Sequence, residues 1–179
     1  MILHQILLQL NENDQDLPFK LNDQNLPYPD TLHPIIVHFV IGMVFLAFVC
    51  DIAGYLNRNH RLFEVSWWNM VVASVAVFFA VIFGQFEAAL AEPFPAAEPV
   101  LDYHTINGWS IAAVLVGLTT WRGIIRRRDP LKVPVVYLGA ATILICMVTL
   151  QIYLGSLVDW VYGIHNRIVV QATREGLLK

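Results

Sequence analysis

Charge is scarce in this chain. Of 179 residues only 14% are Asp, Glu, Lys or Arg, 57% are apolar, and the formal net charge is −3. Soluble domains carry about 25% charged residues, so the deficit argues against a water-soluble fold. No basic stripe is present of the kind a nucleic-acid surface needs. Cysteine is nearly absent. Cys50 and Cys146 both lie inside apolar segments, with neither C-x-x-C nor zinc spacing, which leaves packing as their role. The chain also lacks a C-x-x-C-H for covalent haem, an H-E-x-x-H helix and a glycine-rich phosphate loop. What it has is long apolar runs and a mean hydropathy of +0.58. These features define an integral membrane protein.

Met1–Leu10 lacks the basic start of a secretory signal and reads as an exposed terminus or a short amphipathic helix. The segment to residue 32 is an acidic external tail. It holds Glu12, Asp14, Asp16, Asp23 and Asp30 against Lys20, and Pro18, Pro27 and Pro29 break any helix in it. A four-helix membrane domain is expected over 33–165, followed by a C-terminal tail over 166–179. Spans are expected at about 34–56, 65–90, 103–125 and 133–157, each long enough to cross the ~30 Å hydrocarbon layer. Pro34 suits a first helical turn. Ala76, Ala80, Gly84 and Ala88 form a small-residue row that permits close helix contact. Asp102 is the expected N-cap of the third span. Asp51 is expected near the end of the first, within reach of the headgroups. The first and third links carry Arg58, Arg61, Arg122, Arg126, Arg127, Arg128 and Lys132. The positive-inside rule then sets both termini and the acidic 91–102 loop on the non-cytoplasmic side of an antiparallel bundle.

That topology gathers His33, His38, His104 and His165, with Gln85 and Glu87, at the external end of the spans. Ionisable groups at that depth are costly and point to function. The first and third spans run parallel, so His38 and His104 are expected within about a turn of one another in depth, roughly 5 Å. Facing helices of a bundle hold cofactors in this way, and two imidazoles can ligate a haem iron axially. His33 and His38 are five residues apart, about 140° around a helix. Hence His38 is expected to be the buried member. His33 precedes Pro34 and is expected outside the helix, as a hinge or an additional ligand. Glu87 and His165 are the other candidate ligands. Each has a plainer reading: a histidine at a membrane boundary can cap or bridge helices, Glu87 can cap, and the tryptophans form interface belts.

The motif His33-Pro34-x-x-Val37-His38-Phe39 opening a first span resembles the bacterial membrane family called domain of unknown function 2231. Gly84-x-x-Glu87, His104 at a span start, and Gly155-x-Leu157-Val158 followed by Gly163 are similar to its pattern, over roughly residues 31–165. Val40 stands where that family commonly has proline, and Asp159 where it often has tyrosine. Some relatives are joined to c-type cytochrome domains, and others are encoded near terminal-oxidase subunits. The resemblance therefore implies a setting in respiratory electron transfer.

Three functions are consistent with these features. The first is a membrane redox subunit binding a b-type haem through His38 and His104. It would work in a bacterial inner or thylakoid membrane with an oxidase or cytochrome partner, and would not be an enzyme on its own. The second is a cofactor-free accessory or assembly subunit of a larger membrane complex. The third is a site for Cu, Fe or Zn built from His33, His38, Glu87 and His104.

Overall fold

The structure, a computed structural model, describes residues 32–91, 93–130, 132–164 and 175–176. Every regular element among them is helical. Helix α1 spans Leu32–Asn57, α2 His60–Ala91, α3 Glu98–Arg128 and α4 Val135–Ser156. A π-helical turn at Leu157–Val161 continues α4. All four helices are long and apolar enough to cross a membrane. The 26 residues of α1 reach about 39 Å at 1.5 Å per residue, beyond the ~30 Å core.

Helices α2 and α3 begin earlier than the apolar pattern suggests, and local chemistry explains both starts. Asn59 is the N-cap of α2: its side-chain oxygen accepts the Arg61 N–H at 3.1 Å. The turn is tight enough that Arg58 adopts a φ of 51°, and the Asn59 N–H closes α1 on Gly54 O at 3.0 Å. Only Arg58 and Asn59 therefore lie between α1 and α2, fewer than the gap between the expected spans at 34–56 and 65–90. Helix α3 is capped by Ala97, not Asp102, with Glu98 and Pro99 opening its first turn. Proline there loses no helical hydrogen bond, and a carboxylate suits the positive end of the helix dipole. Asp102 is an exposed residue within α3.

Contacts run from α1 to α2, α2 to α3, α3 to α4 and back from α4 to α1. This closes a four-helix ring in which α1 and α3 stand on one diagonal. Val44, Ala73, Leu115, Tyr137 and Leu144 fill the centre. Ile35, Phe39, Val49, Phe79, Val136 and Ile143 point outward, the surface a bilayer would solvate. Ala80 and Gly84 of the small-residue row meet α1 at His33, and Ala88 lines the same interior. At the histidine end, Ala97, Val158 and Ile164 form a second small cluster with Phe94, Leu101 and Tyr162, closing the bundle over its interior.

Candidate functional site

Beneath that closure lies a cavity of about 100 Å³, shared by all four helices. Its walls are mostly valine, isoleucine, alanine and glycine, and its polar lining is His33, Gln85, Glu87, His104, Thr105 and Gln151.

His33 lies in the first turn of α1 and is half-buried. Its Nδ1 sits 2.7 Å from the Ala80 carbonyl. A carbonyl only accepts, so Nδ1 carries the proton and Nε2 is the basic nitrogen. Room for the ring comes from Gly84, where a Cβ would stand 2.7 Å from the imidazole. Glu87, itself buried, accepts the His33 backbone N–H at 3.3 Å. That N–H belongs to a helix first turn and has no intrahelical acceptor, so a carboxylate from α2 caps α1 within the bundle.

His104 is seated from α3 against α4. A Cβ on Gly155 would lie 3.3 Å from its ring. Gln151 donates through Nε2 to the His104 carbonyl at 3.0 Å and lies 3.0 Å from His104 Nε2. With the amide so oriented, His104 Nε2 accepts and Nδ1 holds the proton. Asn107 completes the seam, donating to Gln151 Oε1 at 2.8 Å and to the Met147 carbonyl at 3.1 Å. Both hydrogens of each amide are satisfied, which the membrane interior demands. Gly108 gives Gln151 the space it needs.

The expected His38–His104 pair does not form. His38 is on the exposed outer face of α1, where its Nδ1–H donates to the Pro34 carbonyl at 2.6 Å. The helical phase argument holds, since the two histidines of the opening motif do face different ways, but it is His33 that turns inward. The reason is that α1 begins at Leu32, placing His33 within the helix and on the same stripe as Val37, Val40 and Val44. His165 lies outside the described residues. Among the described residues no three His, Cys, Asp or Glu side chains converge to hold a metal ion.

The opposite end of the bundle holds a site that the sequence reading missed. Asp51, expected to reach outward, instead faces the bundle interior. It is 1% exposed and pairs across the diagonal with Arg122, 2% exposed, at 3.6 Å. The guanidinium lies over the Phe63 and Tyr137 rings, 5.3 and 5.5 Å from their centres, and Arg122 Nη1 donates to the Lys132 carbonyl at 3.0 Å. Gln151, Asn107, Asp51 and Arg122 shared one signal in the sequence: each is a strongly polar group within an apolar helix, which requires a partner on another element.

A b-type haem would need imidazole nitrogens to hold it and a slot for its ring. The donor set fits: imidazoles from diagonal helices face one apolar cavity, and His33 has the Nδ1–H···carbonyl bond that orients metal-ligating histidines. The space is smaller than the roughly 300–1,000 Å³ of typical ligand pockets, so enclosing a macrocycle requires Gln151 to release His104 and the helices to part.

Fold and interior together define a four-span, all-helical membrane protein with a polar site at each end of its core. The sequence matches the family described as predicted membrane protein (DUF2231) over residues 29–167, and the chain belongs to that family. No curated protein and no solved structure matches it.

Proposed function

We propose that the chain is a redox subunit of an energy-transducing membrane, holding a b-type haem between His33 and His104. The observation that carries this reading is the convergence of two imidazoles, from helices on opposite corners of the bundle, on one apolar cavity. A bound haem supplies one-electron transfer. The Ala80 carbonyl orients His33, Gln151 would have to free His104 Nε2 before it could ligate, and the aliphatic walls exclude water. The lysine and arginine distribution supports placing the histidine end outside the cytoplasm, where electrons would pass to an external carrier or to an oxidase or cytochrome partner. The test is an absorption spectrum of the protein purified from haem-replete cells. A Soret band with split visible peaks is expected, lost in His33→Ala and in His104→Ala and kept in His38→Ala. A colourless preparation overturns the reading.

A second reading has its own observation. The His104–Gln151–Asn107 seam uses both hydrogens of each amide to tie α3 to α4. It supports a cofactor-free accessory subunit in which the histidines act as links between helices. An optically silent chain that copurifies in fixed ratio with a larger membrane complex would favour it.

A further inference from the structure

The end of the bundle that carries the Asp51–Arg122 pair also holds an open cleft, of about 600 Å³, between α2 and α3. Trp67 walls it from α2, and Thr120, Gly123, Ile124 and Arg127 from α3. Its two parts differ in chemistry. At the mouth, Arg126 is engaged by Glu64 and lies over the Trp67 ring, 5.6 Å from its centre. Arg127 is exposed and, among the described residues, pairs with no carboxylate. Seven residues deeper on α3, about 10 Å at 1.5 Å per residue, Thr120 closes the apolar part beside Ile124. Trp67 is fixed on two sides: Arg126 covers its face, and its ring edge rests in the notch of Gly123, 3.1 Å from where a Cβ would be.

A cleft with a cationic mouth and an apolar floor running about 10 Å toward the bilayer midplane matches an amphiphile. A small water-soluble anion would use only the mouth. A zwitterionic lipid brings its own ammonium next to Arg127. A lipid with net negative charge satisfies both parts, and basic pockets between membrane helices bind such headgroups. We propose that this cleft binds one anionic phospholipid, its phosphate at Arg127 and an acyl chain along Trp67, Gly123 and Ile124. The neutralised Glu64–Arg126 pair supplies the wall, and Arg127 supplies the charge that selects the headgroup.

Native mass spectrometry of the full chain, released from detergent with equimolar phosphatidylglycerol and phosphatidylcholine, tests this. One phosphatidylglycerol adduct is expected to persist over phosphatidylcholine by about fivefold, the effect of a single surface arginine. Arg127→Gln should bring the two lipids to parity, while Arg128→Gln, one residue outside the cleft, should keep the preference. Ile124→Trp fills the floor without changing charge and should also remove the adduct. Matching melting curves confirm that the variants fold, and Ile124→Trp keeps the test decisive if Arg127→Gln does not. Equal retention of both lipids by the wild type overturns the proposal. So does equal loss in Arg127→Gln and Arg128→Gln, which marks diffuse charge. An Arg127-dependent adduct of inorganic phosphate on lipid-free protein, indifferent to Ile124→Trp, overturns it as well.

Discussion

His33 and Asp51 face the same interior from one helix, eighteen residues apart, which is five full turns of α1 and about 27 Å of rise. His104 and Arg122 repeat the same spacing on α3. The two diagonal helices thus carry polar groups in register at two levels, separated by nearly the ~30 Å depth of the hydrocarbon layer. The apolar core of Val44, Leu115 and Leu144 lies between them.

The lower level should be the more sensitive to mutation. Removing one member of a buried ion pair strands the other charge, at about 3–5 kcal/mol. Asp51→Ala and Arg122→Ala are therefore both expected to be severely destabilising in detergent unfolding. Arg122→Ala should be the worse, because Arg122 also holds the Lys132 carbonyl and packs on Phe63 and Tyr137. The combined replacement Asp51→Leu with Arg122→Met should recover much of the loss. If the double variant is as unstable as the singles together, the pair is not coupled as described.

Glycine substitutions should separate seats from open positions. Gly84→Ala drives a methyl group into the His33 ring and breaks its bond to Ala80. Such overpacking costs about 1–3 kcal/mol. Gly155→Ala should cost less, since the contact with His104 is 3.3 Å against 2.7 Å. Nothing stands within 4 Å of a Cβ at Gly117 or Gly139, so alanine there should be neutral or stabilising by up to about 1 kcal/mol. Thermal melts of the four variants in one detergent provide the ranking.

The two histidines of the opening motif should behave differently. His38→Leu changes a side chain on the outer face and is expected within about 0.5 kcal/mol of wild type. His33→Leu leaves the Ala80 carbonyl without its imidazole partner, and should cost about 1–2 kcal/mol. Equal losses would remove the distinction between them.

Gln151→Leu cuts the α3–α4 seam at its central residue. Interhelix hydrogen bonds in membranes contribute about 0.6 kcal/mol each, with ~1.7 as an upper value, so three lost contacts should total about 2 kcal/mol. Asn107→Leu should cost less, and the double variant should cost less than the sum, because the two amides share a bond. A double-mutant cycle on unfolding free energy measures that coupling.

The proposed orientation is open to thiol labelling. Native Cys50 is buried and Cys146 lies on the outer face of α4 within its span, so the background should be low. In sealed right-side-out vesicles, an impermeant maleimide should label Ala96→Cys, in the exposed α2–α3 loop, directly. Arg61→Cys should react only after permeabilisation. The reverse pattern would invert the orientation.

The number of spans and their order were set by the sequence alone. Runs as apolar as Pro34–Cys50 and Val133–Leu150 have no stable place in water, and the short links between runs force neighbours to be antiparallel. The site was legible in part: His104, Glu87 and the small row through Gly84 all meet at the cavity. Which histidine of the opening motif joins them was decided by tertiary structure. In a soluble helix the apolar stripe marks the inward face, but lipid is as apolar as the core, so α1 offers no such stripe. The eighteen-residue step from His33 to Asp51 was present as a weak clue, five turns along one face. Only the packing of α1 on α2 gave that face its direction, by seating His33 on Gly84 and leaving His38 outside.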